Sequence, residues 1–377
     1  MRDFFGTARR VFALMALVPM ALVAPLAAHA AGGYQQVNLA SDIPNLARQT
    51  NPILTNPWGI TFAPDGPFWI SDNGSGFASV LRGNGKPFPN PTSPTSPLIV
   101  TIPPPAGATF TAAPTGVVFN GTSGFVVSQA GKSGPASLIF ATEDGTISGW
   151  NRNVDPTHAI LAVDRSAVGP GAVYKGLAIG SHNHRNFIYA TNFRFGTVEM
   201  FDEEFHLITS FTDPTLANDC PLSGQCFAPF GIRNIEGKLF VTYALQKPGK
   251  HDDQEGPGNG FVDVFSTAGT LLGRFASQGT LNSPWGLALA PADFGPFSND
   301  ILVGNFGDGR INAFDPGTGA FRGQLADERG SPIAIDGLWG LTFGNGELAG
   351  DTNELFFTAG INGEGNGLFG KISFGDD

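Results

Sequence analysis

A short apolar segment that opens on a glycine recurs six times along this chain. Successive copies begin 57, 60, 55, 55 and 54 residues apart, at Gly59, Gly116, Gly176, Gly231, Gly286 and Gly340. A recurrence at a fixed period is typical of repeat architectures, in which each copy is a small unit that packs against its neighbours. The repeat therefore constrains the fold more than chain length does, although 377 residues would ordinarily suggest two or three domains.

Each copy contains further short segments that are rich in Val, Ile and Phe and are separated by turn residues, which is typical of β-strands. Second strands are predicted at 68–71, 137–142, 187–191, 239–243, 301–304 and 355–358. Third strands are predicted at 145–151, 196–202, 260–266, 309–315 and 367–374, and fourth strands at 98–102, 159–164, 207–211, 271–275 and 321–325. The chain has 52 Gly and 29 Pro but only 14% charged residues, which favours many short strands over helices.

Six four-stranded units of this size predict an all-β fold, a six-bladed β-propeller spanning residues 31–377 as one domain. A β-sandwich is the alternative, but it does not explain a six-fold recurrence at one spacing. The sixth copy ends before a fourth strand, while an apolar segment at 34–40 precedes the first copy. We expect this N-terminal segment to pair with the last blade, because that closes the ring and removes an exposed sheet edge.

Residues 1–30 are predicted to be a signal peptide. Three arginines lie within the first ten residues, an apolar stretch runs from Val11 to Ala28, and a small-x-small cleavage site ends at Ala30. A membrane anchor is the alternative reading, which Pro19 and Pro25 oppose. The arginine pair at positions 9 and 10 resembles the twin-arginine export signal, so both export routes stay open. The protein is therefore predicted to be exported to the periplasm or outside the cell.

The net charge and the length of the apolar segments after residue 30 restrict the partners expected for the mature chain. The formal net charge is −11, and removing residues 1–30 takes away three Arg and one Asp, which makes it −13. An acidic surface repels nucleic acid and anionic lipid headgroups, so neither is an expected partner. No later segment is long and apolar enough to span a bilayer, so stable membrane insertion is not expected after cleavage.

The only two cysteines, Cys220 and Cys226, lie six positions apart. In an oxidising compartment such a pair is predicted to form a local disulfide. Half of a metal site is the alternative, but no further Cys or His lies near them.

Propeller topology predicts a working face at one mouth of the channel. The first strand of each blade lines the channel, and its start lies on the same face as the turn between the second and third strands. The residues before the six glycines should therefore form a ring at this mouth: Trp58, Thr115, Lys175, Phe230, Trp285 and Trp339. These residues are candidate ligand contacts, and wedging between neighbouring blades is the structural alternative.

The turns between second and third strands bring polar side chains, mostly acidic and amide, to the same mouth: Asp72, Asn73, Glu143, Asp144, Asn192, Arg194, Asn305, Asp308, Asn362 and Glu364. Such residues also serve simply as turn formers. Their convergence keeps open a cation site of hard oxygen ligands. In the fourth blade a longer, charged loop at 246–259 adds His251, Asp252 and Asp253, which are further candidate ligand contacts. The alternative is that this loop is an exposed, solvated segment with no role in binding.

Other chemistries lack the residues they need. His182 and His184 are predicted on the opposite face, which leaves His251 alone at the working face, so a three-histidine zinc centre cannot form there. The chain also lacks a Gly-x-Ser-x-Gly elbow. The sequence assigns no catalytic residue and leaves open whether the protein is an enzyme.

The chain resembles a family of exported bacterial six-bladed propellers of unassigned function, related to NHL-repeat and gluconolactonase-like propellers. The segments that carry the resemblance are NPWG at 56–59, WISDNG at 69–74, ATEDG at 141–145, KHDD at 250–253, NGFVDVF at 259–265 and VGNFGDG at 303–309. The gluconolactonase-like relatives hold a divalent metal with a Glu at the first inner strand and an Asn and an Asp from later blades. This chain has Trp58 in place of that Glu, whereas Asn192 and Asp252 could supply the Asn and the Asp.

Two functions follow from these observations. The first is an exported propeller that binds a small molecule, glycan or peptide at the channel mouth without any required cofactor. The second is a metal-assisted hydrolase or lyase in which Asp72, Asn192 and Asp252 hold a Ca²⁺-like cation beside His251. Propellers support both, so the fold alone does not choose between them.

Overall fold

The computed structural model describes residue 1 and residues 32–375. The predicted signal peptide at 1–30 and its cleavage site therefore lie outside the described residues, apart from residue 1. Among the described residues, no helix is both long and apolar enough to cross a membrane.

Six small antiparallel sheets form the blades of the predicted propeller, and in each the strands lie in order from the axis outward. Blade 1 consists of Pro57–Phe62, Phe68–Asp72, Phe77–Leu81 and Ile99–Thr101, and blade 2 of Pro114–Phe119, Leu138–Thr142, Thr146–Trp150 and Ile160–Asp164. Blade 3 consists of Tyr174–His182, Arg185–Asn192, Thr197–Phe201 and Leu207–Phe211, and blade 4 of Phe227–Ile235, Lys238–Leu245, Gly260–Ser266 and Leu271–Ser277. Blade 5 consists of Pro284–Leu289, Ile301–Asn305, Ile311–Phe314 and Phe321–Gln324.

Blade 6 is completed by the N-terminal strand. Its own strands are Leu338–Phe343, Leu355–Ala359 and Leu368–Gly375, and Gly33–Ser41 pairs antiparallel with the last of them, from Gly33 opposite Gly375 to Ser41 opposite Leu368. The short strand Gln49–Thr50 adds a parallel pair outside it. The predicted ring closure is therefore confirmed.

Few elements lie outside the blades. Two hairpins extend the surface, Pro89–Asn90 with Ser93–Pro97 and Val126–Gln129 with Lys132–Pro135. A helix of four residues, Pro214–Ala217, is capped by the side chain of Asp213, and Gly295–Phe297 forms a 3₁₀ turn. Cys220 and Cys226 form the predicted disulfide.

The six repeat glycines allow neighbouring blades to approach closely at the axis. A Cβ atom on Gly231 would lie 2.1 Å from the backbone oxygen of Trp285 in the next blade, and one on Gly59 would lie 2.4 Å from that of Thr115. The same close approach closes the ring, because a Cβ on Gly340 would lie 2.6 Å from the backbone oxygen of Trp58. The glycine repeat is therefore a requirement of blade packing.

The apolar core is divided among the gaps between blades. In the described part of the chain, six clusters of buried apolar side chains each combine residues of two adjacent blades, including the gap between blades 6 and 1. A seventh cluster, mostly aromatic, lies on the axis. This axial cluster divides the channel and determines the shape of the candidate site.

Candidate functional site

The predicted ring of residues before the glycines forms a plug inside the channel. Trp58 and Trp339 stack with ring centroids 3.6 Å apart, and Trp285 meets both edge-on. Phe230 contacts Trp339, and Phe306 stacks on it from the turn that follows the second strand of blade 5. All four ring aromatics are buried, so they pack mainly on one another at the axis.

Lys175, the cationic member of the ring, is also buried, with 2% of its surface exposed. Its Nζ lies 5.0 Å from the centre of the Trp58 ring, donates to Glu143 and lies 3.7 Å from Asp252 Oδ1. Burial disfavours its charged form, but the charges of Glu143, Asp252 and Asp253 outweigh that effect and raise the pKa of Lys175. Lys175 therefore stays protonated and joins the plug to the acidic groups above it.

Glu143, His251 and Asp252 form a compact cluster beside Lys175. One ligand atom of each lies within 4.8 Å of the others. His251 Nδ1 lies 2.8 Å from Asp252 Oδ1 and 3.9 Å from Glu143 Oε1. The hydrogen bond with His251, together with the charge of Lys175, lowers the pKa of Asp252 to about 2, although its burial opposes this. Two carboxylates and an imidazole are a plausible donor set for a divalent cation.

The charged loop is ordered by the blades beneath it. The Nε2 atom of Gln246 donates to the Phe193 carbonyl at 2.5 Å, and the backbone N–H of Lys247 donates to the Asp252 carbonyl at 2.8 Å. Asp253 is buried, and this burial raises its pKa. The loop therefore presents Asp252 to the mouth while it keeps Asp253 underneath.

A chain of amide side chains links the cluster to the plug. Trp339 Nε1 donates to Asn56 at 3.2 Å, and Asn56 Nδ2 lies within hydrogen-bonding distance of Asn73 and of Glu364. Asn73 in turn donates to Glu143 at 2.9 Å. Burial, reinforced by the negative charge of Glu143, raises the pKa of Glu364 to about 7. The mouth thus holds a carboxyl that exchanges its proton near neutral pH.

The structure separates the three predicted metal ligands. Asp72 is fully buried and accepts a hydrogen bond from Ser79, and Asn192 is fully buried and donates to Glu199 at 3.1 Å. Only Asp252 faces the mouth, with 59% of its side chain exposed. The residues that join Asp252 are Glu143 and His251 instead.

The other histidines lie elsewhere. His182 ends the first strand of blade 3 and His184 lies in the turn to the second, at the opposite end of the blade from Lys175. A second carboxylate and imidazole group, Asp202, Glu204 and His206, lies at the turn between the third and fourth strands of that blade. Glu204 and His206 are exposed.

Sequence reasoning placed Glu143, Asn73 and Glu364 at the mouth but did not select them as ligands. Asn56 was missed, although it directly precedes the Pro-Trp-Gly opening of blade 1. The only sequence signal for these residues is their position next to the repeat.

No protein-family model matches the chain. Two sequence relatives come from Acanthamoeba polyphaga mimivirus. The uncharacterized protein R648 is 32% identical over 337 residues, which cover 89% of this chain and 78% of that protein. The uncharacterized protein L690 is 31% identical over 331 residues, which cover 87% of this chain and 82% of that protein.

Two solved structures share the fold. A virginiamycin B lyase from Staphylococcus aureus superimposes with a TM-score of 0.50 at 17% identity and covers 91% of this chain and 99% of its own. A streptogramin B lyase superimposes with a TM-score of 0.51 at 15% identity and covers 91% of this chain and 98% of its own. At these identities the similarity shows a common propeller fold.

Proposed function

The chain belongs to the family that includes the mimivirus proteins R648 and L690, and we propose that its propeller binds a small oxygen-rich ligand at the channel mouth through a divalent cation. The ligand is a small molecule, a glycan or a peptide that presents carboxylate, carbonyl or hydroxyl oxygens. The convergence of Glu143, His251 and Asp252 from two different blades is the observation that carries this proposal.

The charge balance at the mouth supports a cation. Glu143, Asp252, Asp253 and Glu364 supply up to four negative charges, against the two ammonium groups of Lys175 and Lys247. A divalent ion would compensate the excess, and it would favour the ionised forms of the two carboxyls whose pKa values are raised. Because one ligand is an imidazole, we expect Mn²⁺ to bind more tightly than Ca²⁺, which prefers oxygen ligands.

Metal-assisted hydrolysis or elimination is the second candidate, and the raised pKa of Glu364 at the mouth is the property that favours it. A carboxyl with a pKa of about 7 serves as a general acid or base at neutral pH. The two lyases with this fold add support at the level of architecture only. In this role the cation would polarise a ligand oxygen while Glu364 moves a proton.

Export is proposed for the same chain, with cleavage after Ala30. The intact mass of the protein recovered from the periplasm or medium should correspond to a start at Ala31. A retained N-terminus in a membrane fraction would contradict this proposal.

Calorimetric titration of the purified protein with MnCl₂ and CaCl₂ tests the cation site. One Mn²⁺ should bind per chain, and Asp252→Asn should weaken binding by about tenfold or more, as loss of a charged ligand typically does. Glu204→Gln is the matched control, because it removes one charge from the exposed cluster of blade 3 and should not change the affinity. Absence of Mn²⁺ binding, or equal effects of both substitutions, would contradict the proposal.

The two candidate functions differ in turnover. Incubating the Mn²⁺-loaded protein with a panel of lactones and cyclic esters, while monitoring acid release, should show turnover if the site is catalytic. Glu364→Gln should then abolish turnover without removing Mn²⁺ binding. Binding without turnover across the panel would favour the binding function.

A further inference from the structure

A cavity lies on the channel axis, on the side of the aromatic plug opposite the mouth that holds Lys175. It has a volume of about 340 Å³, within the range of roughly 300–1,000 Å³ that small-molecule pockets occupy. Six apolar side chains, one from each blade, directly follow the repeat glycines and form a collar in its wall: Ile60, Val117, Leu177, Ile232, Leu287 and Leu341. Polar residues, among them Thr61 and Asn234, line the rest of the wall. Trp285 of the plug also contacts the cavity.

One guanidinium lies beside the apolar collar in this wall. Arg233 occupies the position two residues after the repeat glycine, where the other blades carry Thr, Val or Ala. Its Nη1 donates to the Leu341 carbonyl at 2.7 Å and its Nη2 to the Thr342 hydroxyl at 3.0 Å, both in blade 6. Arg233 therefore reaches from blade 4 to blade 6 inside the channel.

Arg233 has no acidic partner within the part of the chain that the structure describes. No ion pair there includes it, and its two hydrogen bonds use two of the five N–H donors of a guanidinium. Burial lowers its pKa to about 10, which still leaves it charged at neutral pH. Arg233 is only partly exposed, and a cation largely withdrawn from water is normally paired with an anion, because desolvation otherwise destabilises it.

We propose that this cavity binds a small organic carboxylate with an apolar body, its carboxylate on Arg233 and its apolar part against the collar. The free N–H donors supply the hydrogen bonds that a carboxylate accepts, and a guanidinium fits a planar carboxylate in two-point contact. The collar provides apolar surface beside the guanidinium, which favours a carboxylate with an apolar body over a strongly hydrated inorganic anion.

This site is separate from the proposed cation site. The buried side chains of Trp58, Trp285 and Trp339 lie between them, and the two sites have opposite charge. In metal-free protein the mouth is rich in carboxylates and would repel the anion that Arg233 attracts, so the titrations below use EDTA-treated protein. A failure of one proposal therefore leaves the other intact.

Calorimetric titration of the wild-type protein with benzoate and hexanoate, compared with benzamide and hexanamide, tests the inference without any mutation. The amides have nearly the same shape but no charge, so they should bind about tenfold or more weakly than the carboxylates. Equal affinity for acid and amide, or no binding of either acid at millimolar concentration, would overturn the proposal.

Two substitutions locate the site. Arg233→Met should abolish the preference for carboxylates, and Arg233→Lys should keep part of it, because the charge remains while the two-point geometry is lost. Asp252→Asn, at the other mouth, should leave carboxylate affinity unchanged. If folded Arg233→Met protein binds benzoate as tightly as the wild type, the ligand lies elsewhere and the proposal is wrong.

Discussion

Lys175 shows how one residue gives the channel mouth its chemistry. At its ring position three other blades have tryptophan, and Lys175 instead carries a charge into the plug. It remains charged there because Glu143 and Asp252 approach it from neighbouring turns. The same contacts hold Glu143 and Asp252 close enough together to share a cation.

Lys175→Met should destabilise the protein by roughly 3–5 kcal/mol, because it leaves the carboxylate of Glu143 without its cation in a buried site. Lys371→Met is the matched control, since Lys371 pairs with Glu354 but its side chain is 20% exposed against 2% for Lys175, so it should cost clearly less. Unfolding in urea measures both losses. Similar losses for the two variants would show that Lys175 is not held as a buried ion pair.

Glu364 should make stability fall as pH rises through the neutral range. Its pKa is raised from 4.5 to about 7 in the folded protein, so the unfolded chain releases this proton at lower pH than the folded one. Stability from this group is complete below about pH 4.5 and declines towards pH 7 and above. Other groups add their own slopes, and Asp263, with a pKa raised to about 7 by burial, adds one of the same sign.

Glu364→Gln should therefore make the decline in melting temperature between pH 5 and pH 8 shallower, because the amide does not titrate. Thermal unfolding at several pH values measures the slope for each protein. Glu347→Gln, which changes an exposed glutamate, should leave the slope as in the wild type. An unchanged slope in Glu364→Gln would contradict the raised pKa.

At the scale of the elements, the strands were largely predictable because each is a short apolar segment between turns. The fourth strand of blade 3 was predicted at 207–211 and is observed at Leu207–Phe211. The closing strand was predictable for a different reason, since the sixth copy lacked a strand and the N-terminus offered one. The hairpin Val126–Gln129 with Lys132–Pro135 was not predicted, because its strands are mostly exposed and carry little apolar pattern.

The candidate site was predictable only in part. Ring positions and turn positions follow from the repeat, and Lys175, Glu143 and Asp252, which were all expected at one mouth, lie together in the structure. Which turn residues meet depends on contacts between blades, and these have no pattern along the chain. Asp72 and Asn192 occupy matching turn positions, but Ser79 and Glu199 bind them inside their own blades.

Close contact of the inner strands predicts the effect of a single methyl group. Gly231→Ala should destabilise the protein by about 1–3 kcal/mol, because the added Cβ would lie 2.1 Å from the backbone oxygen of Trp285 and the blades must separate. Gly317→Ala is the control, since its Cβ would meet only the Asp315 side chain at 3.6 Å. Urea unfolding measures both effects, and equal effects would contradict the packing argument.

Deleting residues 32–41 should lower the melting temperature and promote aggregation, because it removes the strand that covers the edge of Leu368–Gly375. Scanning calorimetry and size-exclusion chromatography measure the two effects. Gln36→Ala changes an exposed side chain of the same strand and should alter neither. A truncated protein as stable and monomeric as the parent would show that the strand is not needed to close the ring.

At the scale of the whole molecule, the aromatic plug divides one channel into two chambers of opposite character. The mouth above the plug collects carboxylates and an imidazole around Lys175, and the cavity on the other side combines an apolar collar with the cation Arg233. Both chambers derive from the same repeat, because four of the six residues before the glycines form the plug and the six residues after them form the collar. One architecture thus supports a cation site and an anion site on a common axis.

The central claim is that the mouth holds a divalent cation between Glu143, His251 and Asp252. Anomalous diffraction from crystals grown with MnCl₂ tests it most directly, because manganese is located without reference to any activity. We predict one strong anomalous peak within coordination distance, roughly 2.0–2.4 Å, of at least two of these three side chains. A peak only at the exposed cluster of Asp202, Glu204 and His206, or no peak at either cluster, would contradict the claim.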